Sequence, residues 1–248
     1  MRNREKASDT KDFLIEFSSC ATFHEDVMSP LSTIGVKELE ELIMRHIPRD
    51  FFMACEDACL NGDEKGRRQA TTFAEGHRPS AVGQNRHFFT NEAFYEALLV
   101  HDANPTPLRG TQVVIGQLGI FKIARLSVAG HKWASAFKRG STRKALSQLN
   151  TGIELQFQHD FFATKTQPVI GTIFIVGVVD GLDELGNAQL TKVNLTLPAP
   201  NMQSFLYTRE ISDFLSLYDQ TDNVVQADEA KPKLKEQTKK QTGNDQGN

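Results

Sequence analysis

Between Thr33 and Ile47 apolar residues return at intervals of three and four, at Val36, Leu39, Leu42, Ile43 and Ile47. That spacing predicts an amphipathic helix over "STIGVKELEELIMRHI". Glu38 and Glu40 sit early in it, where the helix dipole favours negative charge. Pro48 stops this helix or starts another, because proline lacks the N–H but suits a first helical turn. "PRDFFMACEDACL" then predicts a second helix, with Phe52, Cys55 or Cys59, and Leu60 inward and Asn61-Gly62 as its end. Residues 62–86 are polar and glycine-marked, which reads as a long connection. "TNEAFYEALLVHDA" predicts a third helix, capped by Thr90 or Asn91.

From residue 111 the period shortens. "TQVVIGQLGIFKIARLSV" reads as two strands joined around Gly116 and Gly119. A phosphate-binding loop is excluded there, since such a loop opens a helix and here β-branched and aromatic residues follow. "STRKALSQLN" predicts a short helix capped by Ser141 or Thr142. "IELQFQHDF" alternates, with Ile153, Leu155, Phe157, His159 and Phe161 on one face, and predicts a strand. "VIGTIFIVGVV" is apolar on both faces and predicts a central strand. "AQLTKVNLTL" pairs with it across "DGLDELGN" and ends at Pro198 and Pro200. "SFLYTREISDFLSLY" predicts a closing helix with Phe205, Ile211, Phe214, Leu215 and Tyr218 inward. The fold class expected is α+β: N-terminal helices, then an antiparallel sheet of about five strands, with one inserted and one C-terminal helix.

Composition sets the limits. A chain of 248 residues, 39% hydrophobic and 24% charged, suits a globular protein. Residues 1–10 are polar and read as a flexible terminus. Residues 11–219 read as a single domain, with a helical part over 11–103 and a sheet part over 111–219. Residues 220–248 hold no aromatic and few apolar side chains, so they read as a disordered tail. No apolar signal core or membrane-length run is present; the longest apolar runs resemble "IFIV". Cys20, Cys55 and Cys59 make no disulfide framework, which suits a reducing, cytoplasmic setting. No cofactor motif appears.

Charge changes the picture most. The net charge is −3, yet no Asp or Glu occurs between Asp102 and Glu154. Arg109, Lys122, Arg125, Lys132, Lys138, Arg139, Arg143 and Lys144 all fall in that window, which leaves 20 of the 28 Lys and Arg to face all 31 acids. Segregated charge of this kind favours a polyanion partner, nucleic acid above all. The expected contacts are Lys122, Arg125, Lys132, Lys138, Arg139, Arg143 and Lys144, with Trp133 stacking on unpaired bases or packing beside them. The competing reading has the window neutralised by acidic stretches such as "ELEEL" and "EDACLNGDE". The spacing of Trp133 and Phe137 also fits a helix face turned to the core.

Two other functions remain open on sequence. A metal-dependent nuclease or phosphodiesterase would use Glu154, Asp160 and Asp180. His159 and Asp160 would face opposite sides of a strand, and Asp180-Gly181 and Asp183-Glu184 suit turns. A protein-interaction or regulatory module, without nucleic acid, is the other. Cys55, Cys59 and His46 lack the fourth ligand of a closed zinc site and read as core residues. "GQNRHFF" gathers Gln84, Asn85, Arg86 and His87 into a polar group; Arg86 and His87 could bind an anionic ligand or act in catalysis, but the plainer reading is a lead-in to the third helix, with His87 partly buried.

Overall fold

The computed structural model of the chain describes residues 33–132, 140–157 and 170–225. Its helices are α1 (Thr33–His46), α2 (Arg49–Ala70), α3 (Arg78–Val100), α4 (Ser141–Gln148), α5 (Thr151–Phe157) and α6 (Ile211–Val225). Its strands are β1 (Ile115–Leu118), β2 (Phe121–Ala129), β3 (Gly171–Leu182), β4 (Ala188–Pro198) and β5 (Phe205–Glu210). They form one open sheet in the order β1-β2-β3-β4-β5. The β1/β2, β3/β4 and β4/β5 pairs are antiparallel, and β2/β3 is parallel. The expected α+β architecture is therefore present, with a mostly antiparallel sheet. The one parallel pair follows from the long connection between β2 and β3, which carries α4 and α5 and returns the chain to the same end of the sheet.

The strands alternate between two cores. Phe121, Ile123, Ile173 and Ile175 join Leu39, Ile43, Phe51, Phe52, Phe94 and Phe214 on the helical face. Ala124, Leu126, Phe174, Val176 and Val178 face the other way, onto Leu146 of α4. β3 is buried on both faces for its first eight residues, as a central strand must be.

Three local expectations are corrected. Asn61-Gly62 does not end α2, which runs on to Ala70. Gly62 and Gly66, one turn apart, form a seam against α3: a Cβ at Gly62 would lie 2.2 Å from Thr90 Oγ1, and one at Gly66 2.6 Å from the Arg86 backbone nitrogen. The polar run 62–86 hid this contact because its interface residues are glycines and a buried ion pair. Asp63 Oδ1 accepts from Arg86 Nε, Asp63 Oδ2 accepts from Arg67 Nε at 2.9 Å, and Arg86 Nη2 donates to the Ala188 carbonyl.

The alternation from Ile153 to Phe157 belongs to a helix. Those two residues are four apart and so share a helix face as well as a strand face. Asn150 decides between the periods. Buried just before α5, it donates to the carbonyls of Thr172 at 3.2 Å and Pro198 at 2.7 Å, and accepts from the Thr172 N–H at 2.5 Å. His159 and Phe161 lie outside the described residues. "SFLYTREISDFLSLY" divides at Glu210/Ile211 into β5 and α6, because Leu195↔Arg209 and Leu197↔Tyr207 pair with β4 before the helical period begins. α6 continues to Val225, past the composition change at Asp219. Residues 1–32 and 226–248 lie outside the described set. Among the described residues no helix is long and apolar enough to cross a membrane.

Candidate anion-binding face

β2 carries two of the predicted cations, and its pleat separates them. Lys122 leaves the sheet on the side of α4, together with Ala124 and Leu126, while Arg125 leaves on the side of α3. Lys122 pairs with Gln117 on β1 and with Thr172 on β3. The Thr172 hydroxyl donates to the Leu146 carbonyl at 2.8 Å, which holds α4 over this end of the sheet.

A cavity of about 530 Å³ opens here, lined by Asn104, Thr106, Ile115, Gln117, Lys122 and Leu146, with Gly116 and Gly119. All of these fall in the acid-free window, so among the described residues no carboxylate lines it. Residues 103–106 hem the outer edge of β1. Gln117 N–H donates to the Ala103 carbonyl at 2.7 Å, and Thr106 N–H to the Ile115 carbonyl at 2.9 Å. The β1–β2 turn needs a left-handed residue, and Gly119 supplies it at φ +53°, packed against His46.

Arg143 lies one turn before Leu146 on α4 and is half-buried; that burial lowers its pKa from the usual arginine value. Lys144 is exposed beside it. Lys122 lines the cavity directly, while Arg143 and Lys144 are carried by α4, whose Leu146 lines it. Lys132 is exposed just beyond the other end of β2. At about 3.3 Å per residue, the strand alone separates Lys122 from Ala129 by about 23 Å. Trp133, Phe137, Lys138 and Arg139 lie outside the described residues.

Arg125 corrects the expectation of a surface contact, since only 3% of it is exposed. Its Nε donates to Asn91 Oδ1 at 2.8 Å, Nη1 to Ser127 Oγ at 3.2 Å, and Nη2 to the His87 carbonyl at 2.8 Å. Burial, offset in part by the Cys59 thiol, lowers its pKa to about 10, so it stays a cation at neutral pH. Asn91, expected as a helix cap, is instead in mid-α3. His87 is half-buried, and burial and then Arg125 lower its pKa.

The acidic helical stretches turn elsewhere. Glu40 accepts from Tyr207 at 2.9 Å and pairs with Arg209 at 3.0 Å, and Asp63 serves Arg67 and Arg86. Among the described residues no carboxylate pairs with Lys122 or Lys144.

Asp180 is exposed on β3 and Glu154 is half-buried on α5. Asp183 holds the β3–β4 turn, accepting from Leu185 N at 3.0 Å and Asn187 N at 2.8 Å. Burial would raise its pKa, but hydrogen bonds from Asn187 and Leu185, with Arg67 nearby, bring it below the usual value. Asp160 lies outside the described residues. Among the described residues no three His, Cys, Asp or Glu side chains gather as metal ligands. Cys55 and Cys59 are buried, and burial pushes the Cys59 thiol up to about 11. His46 packs edge-on against Phe121 at 6.2 Å.

The molecule is an α+β protein with helices packed against both faces of a mostly antiparallel five-stranded sheet. No protein-family model, no curated protein and no solved structure matches the chain.

Proposed function

We propose that this protein is a non-enzymatic polyanion-binding protein of the cytoplasm, and that its partner is nucleic acid. The observation that carries the reading is the cavity lined by Lys122 and by Leu146 of α4, the helix that also bears Arg143 and Lys144; among the described residues no carboxylate lines it. Lys122 and Lys144 meet phosphates. Asn104, Thr106 and Gln117 offer neutral donors at the same opening, and Ile115 and Leu146 offer apolar surface to a base. Lys132, Trp133, Lys138 and Arg139 extend the same acid-free stretch of chain. Arg125 is not among the contacts.

Spread positive charge binds a phosphate backbone by releasing counterions, so affinity must fall steeply with salt. The test is a mobility-shift titration with single-stranded DNA, duplex DNA and RNA at several salt concentrations, with and without Mg²⁺. Salt-sensitive retardation that Lys122→Glu with Lys144→Glu abolishes is expected. Retardation unchanged by that double substitution would remove the site, and no retardation at low salt would remove the function. Cleavage that needs Mg²⁺ would replace it with the nuclease reading.

A further inference from the structure

Apart from Lys122, the described residues that line the cavity on the α4 side of the sheet are neutral. A polyanion held by charge alone needs a surface of cations rather than a hollow, so the neutral lining points to another part of the ligand. The volume of about 530 Å³ falls within the roughly 300–1,000 Å³ of sites that enclose a small molecule.

Backbone holds the polar lining in place. Residues 103–106 run along the outer edge of β1, fixed by the bonds from Gln117 N–H to the Ala103 carbonyl and from Thr106 N–H to the Ile115 carbonyl. Asn104, between them, is in the left-handed region at φ +46°, which asparagine tolerates better than most residues. Thr106 Oγ1 accepts from the Ile115 N–H at 3.0 Å, and its hydroxyl proton is left to give. Gln117 Nε2 donates to the Gly119 carbonyl at 3.3 Å, which orients the amide and leaves Oε1 to accept. Asn104, Thr106 and Gln117 are all exposed.

A side-chain amide carries a donor and an acceptor side by side, the pattern that the edge of a nucleobase presents. Asn104 and Gln117 bring two amides to the cavity, and Ile115 and Leu146 bring apolar wall for a ring. Gln117 and Lys122 are direct cross-strand partners, so they share a sheet face with Cβ atoms about 5 Å apart. An amide suited to a base thus stands beside an ammonium suited to the phosphate of the same nucleotide.

Shape then selects the pairing state. A protein reads a duplex by inserting a helix or a ribbon into a groove. A cavity works the other way: the base must enter the protein, and an unpaired base does so with the least loss of stacking. Resting on the nucleic-acid reading above, we infer that the cavity takes one unpaired nucleotide, with its base against Asn104, Gln117, Ile115 and Leu146 and its phosphate on Lys122. The protein therefore prefers single strands to duplex. No aromatic side chain lines the cavity among the described residues, so the base is held by its edge and not by stacking.

The experiment uses the full chain and short fluorescently labelled oligonucleotides in anisotropy titrations at one salt concentration. An abasic strand of equal length keeps every phosphate and has no base. The base-bearing strand should bind about tenfold more tightly than the abasic strand, the effect of one good amide–base contact. It should also bind more tightly than duplex, although charge alone favours the duplex, whose phosphates are denser. Gln117→Ala, an exposed change on an edge strand, should remove most of the preference and leave affinity for the abasic strand unchanged. Lys122→Gln should weaken both. Equal, salt-sensitive binding of abasic and base-bearing strands would overturn the base site and leave the polyanion reading standing. So would tighter binding of duplex. Absence of binding by every ligand removes both readings. A preference that survives Gln117→Ala would take the base out of this cavity, and a free nucleoside monophosphate binding as tightly as the strand would overturn the assignment to a strand.

Discussion

Lys122 and Arg125 stand three residues apart on β2 and leave the sheet on opposite faces. One lines an open cavity, and the other is enclosed between β2 and α3. The pleat alone does this, since an odd separation in a strand reverses direction. Two cations adjacent in a charge count therefore have different surroundings: one borders an open cavity, and the other is held among neutral hydrogen-bond partners.

Charge on the α4 face should appear in the salt dependence of binding. Each phosphate contact contributes a slope of about −0.7 to −0.9 to log affinity against log salt. Neutralising Lys122 and Lys144 to Gln should reduce the magnitude of the slope by about 1.5, with single- and double-stranded ligands measured separately. A slope that does not move would mean that neither lysine touches a phosphate.

The α2–α3 seam should be intolerant of a single methyl. At Gly66 an added Cβ would meet α3 backbone at Arg86, which cannot rotate away. Gly66→Ala should destabilise the fold by about 1–3 kcal/mol, despite alanine's better helix propensity. Gly83→Ala is the control on α3, because nothing lies within 4 Å of its Cβ position. Urea midpoints of the two variants should move in opposite directions.

Asp63→Asn should be more damaging than its size suggests. Asp63 is 2% exposed and serves Arg86, Arg67 and the Leu190 N–H. Asparagine would leave the buried Arg86 without a countercharge, at a cost of about 3–5 kcal/mol. Converting both partners, Asp63→Leu with Arg86→Met, should recover much of that loss. A double-mutant cycle in chemical denaturation reads the coupling directly.

Stability should depend on pH through His87. Burial first, and then the Arg125 charge, lower its folded pKa below the unfolded value of about 6.5. The unfolded chain then binds the proton more readily, so stability rises with pH through this region. The contribution is complete above pH ~6.5 and is lost as pH falls below it. Denaturation midpoints between pH 8 and pH 5 should fall less steeply for His87→Gln than for the natural chain. Equal slopes would mean that His87 titrates alike in both states.

Legibility followed periodicity. α1 and the run "VIGTIFIVGVV" were readable because their apolar positions repeat with one period, or fill both faces, over a full element. The second half of α2 was not, because its contacts are made by Gly62, Gly66 and a buried ion pair, which resemble a loop in a hydropathy pattern. α5 was misread because Ile153 and Phe157 satisfy both periods. The Arg125 cluster was illegible because Asn91, thirty-four residues earlier, reads equally well as a helix cap.

Local pattern by itself determined the α+β class, the central strand, the β3–β4 pairing and the acid-free window, since each depends on neighbours in the chain. Only the tertiary structure decided that β2 and β3 run parallel, which cations reach solvent, and that Arg125 faces neutral partners. Those depend on which distant segments share a surface. A side chain's charge can be read from its letter, but its partners and its water are assigned when the sheet closes against the helices.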